Sequence, residues 1–191
     1  MATGASLKVT GADLNAIRDA MRNLANHEIL VGIPEGAKAR EPDEDGKTPA
    51  INNATIAFIQ DNGAPEVNIP ARPFMRPGID SVNERLGDML VAAASAVVKD
   101  PKTDVMARLT RVGITAATAI KKAINAGIPP PLSERTLRER ANRGTKGRKG
   151  AQLELELRDA GWAPSVDFAK PLIDTGQLRN SITFVLRKIR G

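Results

Sequence analysis

The chain has 191 residues and a formal net charge of +6, from 28 Lys plus Arg against 22 Asp plus Glu. This length fits a single domain over residues 1–191, with an extended loop or arm and no second core. The absence of cysteine excludes disulfides and thiolate metal sites, and no window reaches the roughly 18 to 20 apolar residues of a membrane span, so we expect no membrane contact.

The first predicted element is a helix with one apolar stripe. Its apolar positions recur at spacings of three and four, at Leu14, Ile17, Met21 and Leu24. Thr10 is a candidate N-cap for this helix, because its hydroxyl can accept a free amide of the first turn. Residues 28–33, EILVGI, then predict a strand that ends at Pro34. Residues 35–50 are charged and contain Pro and Gly without periodicity, so they predict an exposed loop.

A proline-rich segment follows a short predicted helix at residues 53–60, which should end near Gly63. Residues 67–77, VNIPARPFMRP, contain three prolines, which remove amide donors and predict an extended, docked strip. The strip carries two guanidinium groups and several apolar side chains, so it either packs within the monomer or lies across a neighbouring subunit. Its candidate interface residues are Ile69, Arg72, Phe74, Met75 and Arg76.

Two long amphipathic helices are predicted next, at residues 82–98 and 105–124. The second ends at Gly127 and a triple proline. Beyond it, residues 128–170 predict a basic arm or extended region, which holds a short capped helix at 133–141 and a Gly- and Lys/Arg-rich linker at 142–150.

The last part of the chain has one ambiguous element and one terminal strand. Residues 151–158 alternate Leu with polar residues, which is the period of a strand, but the residue types themselves favour helix. Strand and helix both remain open for this segment. Residues 177–181 predict a helical turn after Thr175, and the alternation at Ile182, Phe184 and Leu186 predicts a strand whose exposed edge could join a neighbour's sheet.

Catalytic and metal-binding patterns are weak. Asp174-Thr175-Gly176 matches the triplet of aspartic proteases, but it occurs once, and Thr175 as a helix N-cap accounts for it better. His27 is the single histidine, and the acidic run at 41–45 lacks calcium-loop spacing. We therefore predict no enzyme activity, cofactor, metal site or small-molecule substrate.

A basic stretch at residues 135–149 is the strongest charge feature. Seven cations stand there against Glu134 and Glu139, a local net of +5, and they are Arg135, Arg138, Arg140, Arg143, Lys146, Arg148 and Lys149. Flexible cations can bind phosphates without sequence preference, but no aromatic side chain is present to stack on bases. DNA contact and a solvated or subunit-bridging arm are equal alternatives.

The order of several motifs over residues 31–182 resembles the phage virion morphogenesis and tail-completion proteins, which join head and tail at the neck. These motifs are VGIPEG, NATIAFIQDNGAP, IPARPFMRPGI, PPLSERTLRERANRG and KPLIDTGQLRNSI. IPARPFMRP and PLIDTGQLRNSI, in this order and separated by two long helices, form the more specific pair.

The resemblance implies an α+β fold in which a small, twisted, mainly antiparallel sheet is packed by long amphipathic helices. It also implies a structural protein of the virion, assembled in the host cytoplasm as a homo-oligomeric ring, six-fold by analogy. The ring would contact the neck or connector and tail-tube proteins, and its basic arm could touch packaged DNA without sequence preference. A tail terminator or head-closure protein is the nearest alternative, and a DNA-binding protein using residues 135–149 is the alternative from another class.

Overall fold

The computed structural model describes residues 11–34 and 51–189, which form eight α-helices and two strands. The first half of the described chain holds α1 Gly11–Ala25, β1 His27–Gly32, α2 Asn53–Asn62, α3 Met75–Asp80 and α4 Asn83–Lys99. The second half holds α5 Val105–Ala126, α6 Glu134–Ala141, α7 Arg148–Asp159, α8 Gln177–Ser181 and β2 Thr183–Lys188. The fold is α+β, as expected.

The two strands form an antiparallel sheet, paired from His27 with Lys188 to Gly32 with Thr183. Side chains alternate across it: Ile29 and Leu186 pack into the core beside α5, whereas Leu30 and Val185 are both 41% exposed on the opposite face. The strand predicted from EILVGI and the terminal strand are confirmed, and they pair with each other.

The central helix is α5, against which α3, α4 and both strands pack. It begins where Asp104 accepts the Ala107 amide at 2.9 Å and ends at Gly127, whose φ is +87°. Phe74, Ile120 and Ile182 have no exposed surface and belong to the main core beside this helix. The long helices predicted from three- and four-residue spacings are confirmed.

The proline-rich strip is only partly extended. Residues 70–74 form neither helix nor strand, but Met75 begins α3, so the prediction of an extended strip through residue 77 is wrong. Pro77 is the third residue of α3, where the amide has no helical partner and a proline is tolerated. The Asp61 carboxylate accepts the amides of Phe74 and Met75 at 2.7 and 3.0 Å, which fixes the start of this helix.

The region at 128–170 is not an extended arm, because α6 and α7 pack together around Leu137 and Ala151. The predicted linker at 142–150 is shorter than expected, since α7 begins at Arg148. The ambiguous 151–158 segment is helix. Its buried positions are Ala151 and Glu154, and Leu155 packs partly buried against the same cluster as Ala151. These spacings of three and four are helical, and the visible alternation of leucines hides them.

Two sequence predictions fall outside the described residues: the Thr10 cap and the 35–50 loop with its acidic run. Met21 and Leu24 of the first stripe pack on the core, whereas Leu14 is 59% exposed. Across residues 11–34 and 51–189, no helix is long and apolar enough to cross a membrane.

The space around two helical glycines shows how closely the sheet approaches α5. A Cβ at Gly113 would lie 2.3 Å from Cδ2 of Phe184, whereas a Cβ at Gly87 of α4 would have no atom within 4 Å. We expect Gly113→Ala to lower the free energy of unfolding by about 1 to 2 kcal/mol, because overpacking exceeds the helix-propensity gain. Gly87→Ala should raise it by about 1 kcal/mol. Urea unfolding measures both, and stabilisation by Gly113→Ala would contradict this packing.

Candidate functional site

The first arginine of the proline-rich strip has an internal role. Arg72 is buried, and its Nε and Nη2 donate to the Pro130 carbonyl at 3.2 and 3.0 Å, 58 residues away. Burial lowers the pKa of Arg72 below its ordinary value. Arg72 therefore fastens the triple proline to the strip and is not available at a subunit interface.

The other predicted interface residues of the strip divide between core and surface. Phe74 has no exposed surface, and Met75 is half-buried against the same core. Ile69 is half-buried and bridges to Ala64. Arg76 is exposed, with its Nε 3.7 Å from Asp80 Oδ2, so of the five it alone presents a largely exposed side chain.

The terminal strand also packs inward at the positions predicted for an interface. Ile182 is fully buried, the Phe184 ring lies against Gly113, and Leu186 packs beside Leu109. The exposed side chains of β2 are the alternate ones, such as Val185. The side chains of β2 that face outward are therefore those between the residues predicted for the interface.

Arg140 is the one buried cation of the basic stretch. It is 8% exposed, and its guanidinium donates to the carbonyls of Lys170, Pro171 and Ile173 at 2.9, 2.6 and 3.1 Å. Burial lowers the pKa of Arg140 below its ordinary value, and the Asp174 carboxylate opposes that shift. Arg140 thus ties α6 to the chain before α8 and is not available to phosphates.

Asp174, the carboxylate of the protease-like triplet, holds the turn between α6 and α7. It accepts the Thr145 hydroxyl at 2.5 Å and lies 3.1 Å from Arg143 Nη1. The predicted cap is displaced by one residue: Gly176, with φ +85°, caps α8, and Thr175 Oγ1 accepts the Gln177 amide at 3.2 Å. Both polar side chains therefore have local structural partners.

The remaining cations differ in how far they are neutralised. Arg135 pairs with Glu139 at 3.0 Å, and Arg138 pairs with Glu134, both one turn apart on α6. Lys146, Arg148 and Lys149 are exposed, and no ion pair involves them within the described residues.

These three cations lie at the start of α7, the end of a helix that its dipole makes positive. Cations are unfavourable in such a position, and an anion placed there relieves the repulsion. Within the described residues, the cations of the basic stretch that are exposed and have no ion pair are therefore Lys146, Arg148 and Lys149.

Two acidic residues that no sequence pattern singled out fix local backbone structure. Asp61 fixes the start of α3 through the amides of Phe74 and Met75. Glu154 is 1% exposed and accepts Nε of Arg158 at 2.9 Å and the Ser165 amide at 2.8 Å. The spacing of four between Glu154 and Arg158 is a signal visible in the sequence. The spacing does not indicate that the pair is buried, nor that Glu154 anchors the turn after α7.

The described residues contain no cluster of His, Asp or Glu that could hold a metal ion. His27 is half-buried, and its Nδ1 donates to the Asn23 carbonyl at 2.6 Å. This histidine thus has a local partner at the end of α1.

No family model, no curated protein and no solved structure matches the chain.

Proposed function

We propose that this chain is a structural subunit of the neck or tail end of a tailed phage, acting in tail completion as a homo-oligomeric ring. The observation that carries the proposal is that the two more specific motif blocks meet in one core. Phe74 of IPARPFMRP shares a hydrophobic cluster with Leu172 and Leu178 of PLIDTGQLRNSI, beside the long helix α5. Residues that define the resemblance therefore act together structurally.

Phe58, Val67, Val91 and Trp162 are 65 to 69% exposed, on separate elements of the described chain. Apolar side chains scattered singly in this way are normal on a protein surface and do not by themselves mark a contact site. The proposed partners are further copies of the chain and the adjacent connector and tail-tube proteins.

Deletion of the gene from its phage tests this role. We expect heads and finished tails that remain unjoined when virions are examined by negative-stain electron microscopy. Overlong tails would instead assign the chain to tail termination, the nearest alternative. Normal virions from the deletion phage, together with a strictly monomeric purified protein, would refute a structural role.

Packaged DNA is the second candidate partner, and the exposed cations at the start of α7 favour it. A ring subunit that turns this helix end toward the channel would meet phosphates with Lys146, Arg148 and Lys149. Such contact would be independent of base sequence, because the described part of the basic stretch carries no aromatic side chain.

Neutralising these three cations should weaken DNA binding. For Lys146→Gln, Arg148→Gln and Lys149→Gln combined, we expect the slope of log affinity against log salt to fall by about 2 to 3, since each lost phosphate contact contributes about 0.9. Fluorescence anisotropy with a random-sequence duplex at several salt concentrations measures this slope.

The paired cations supply the matched control. Arg135→Gln with Arg138→Gln should change the slope by less than about 1, because both guanidiniums are engaged by glutamates on α6. Equal losses in the two variants, or no DNA binding by the wild type, would remove DNA from the list of partners.

A further inference from the structure

An apolar groove of about 940 Å³ opens between α1, β1, α3, α4 and α5. Most of its wall is aliphatic, including Leu24, Ile29, Val31, Leu86, Leu90 and Leu109. Among the described residues of this lining, Leu90 is 41% exposed, whereas Leu109 is only 2% exposed. Three polar residues also line the groove: His27, and the adjacent Asn83 and Glu84 at the start of α4.

The second feature is an exposed tryptophan in the C-terminal part of the chain. Trp162, the single tryptophan of the chain, is 67% exposed directly after α7. Its amide donates to the Leu157 carbonyl at 2.9 Å, and the preceding Gly161 has a φ of +89°. Glu154 fixes the far side of the same turn through the Ser165 amide at 2.8 Å. The indole is therefore presented by a backbone that is held on both sides.

The groove and the indole complement each other chemically. An indole has a large apolar body and one N–H donor, so it suits an apolar wall with polar groups at one place. Asn83 and Glu84 supply acceptors for that N–H on the groove lining. Tryptophan is also the residue type that most often anchors protein interfaces when it enters a pocket.

The two features lie on different elements of the fold. Trp162 follows α7, which packs mainly on α6, whereas the groove belongs to α1, β1, α3, α4 and α5. Each copy thus carries both an exposed indole and an apolar groove. A contact that joins unlike surfaces of identical chains is head-to-tail, and it generates a ring when its rotation closes.

We propose that Trp162 of one copy inserts into the groove of the next copy, forming the contact that builds the assembly. This contact rests on the proposed ring and names the residues that close it. It places the Trp162 indole against Leu86 and Leu90 of the neighbour, with its N–H toward Asn83 or Glu84.

Intrinsic fluorescence reads this contact directly, because the chain has one tryptophan. We expect the emission maximum to move to shorter wavelength, and acrylamide quenching to fall several-fold, as protein concentration drives assembly in sedimentation velocity. Trp162→Ala should weaken self-association at least about tenfold, and it leaves the monomer intact because this side chain is exposed.

The groove side is tested with a matched pair of substitutions on α4. Leu90→Asp places a charge at the groove and should weaken association at least about tenfold, whereas Val98→Asp, 54% exposed on the same helix and outside the groove lining, should not. Circular dichroism checks that both variants fold. Trp162→Ala and Leu90→Asp should each be monomeric alone but form a dimer when mixed, since the mixture restores one groove and one indole.

The outcomes separate this contact from the ring itself. Oligomers whose tryptophan emission and quenching match those of the monomer would overturn the Trp162 contact and leave the ring standing. A protein that stays monomeric at every concentration would overturn both. If an apolar dye binds the groove only after residues 1–10 are removed, those residues are the groove's occupant. The proposal is then overturned.

Discussion

Phe74→Ala is expected to lower the free energy of unfolding by about 4 kcal/mol, the largest effect that we predict. Phe74 has no exposed surface and packs with Ile120 and Ile182 in the main core. Removing its ring leaves a cavity between the proline-rich strip and α5, and the strip cannot collapse freely because Asp61 and Arg72 hold it on either side. Guanidinium chloride unfolding of the monomer measures the loss.

Phe58→Ala is the matched control, because it deletes the same side chain where it is 69% exposed on α2. Its free energy of unfolding should change by less than about 0.5 kcal/mol. The pair decides between the two roles that the sequence allowed for Phe74. An unchanged monomer stability with failed assembly would restore the subunit-interface interpretation, whereas unfolding of the monomer assigns Phe74 to the core.

Local signals explain why most elements could be predicted. The spacings of three and four in α5 and the cap at Ser133 of α6 depend on residues within one or two turns. Such patterns state which side of a helix is apolar and where its free amides are satisfied. Helix bounds at Gly63 and Gly127 followed from the same short-range chemistry.

Long-range partners explain why the candidate site was harder to predict. The proline-rich strip displays its apolar and basic residues in sequence, but the pattern does not reveal whether they meet the chain's own helices or another subunit. Phe74 and Ile182 meet in the core although 108 positions separate them in the numbering. The alternation at 151–158 was ambiguous for the same reason, because the buried residues of α7 are the small Ala151 and the charged Glu154, which pairs with Arg158.

Charge counting overstated the basic surface for a related reason. Of the seven cations, Arg140 donates to backbone carbonyls and Arg143 forms an ion pair with Asp174. Two more are paired with glutamates on α6. Guanidiniums have several donors and often satisfy carbonyls inside a protein, a use that a sum of charges does not register. The three cations that remain are those near the start of α7.

Arg140→Met is expected to lower the free energy of unfolding by about 3 kcal/mol. Methionine keeps much of the apolar stem but donates nothing, so the carbonyls of Lys170, Pro171 and Ile173 lose charged donors in a buried place. The segment before α8 should then open locally, and hydrogen exchange by mass spectrometry should show faster exchange there than in α5.

Arg138→Met separates this effect from the loss of a positive charge. Arg138 lies two positions earlier on the same helix and pairs with Glu134 at the surface, so its removal should cost less than about 0.5 kcal/mol. The two variants have the same net charge, and any shared change in DNA affinity therefore reports on charge alone. Equal stabilities for the two variants would mean that the three carbonyls do not depend on Arg140, and α6 would then be held to the segment before α8 by the apolar contact of Leu137 with Ala169 and its neighbours.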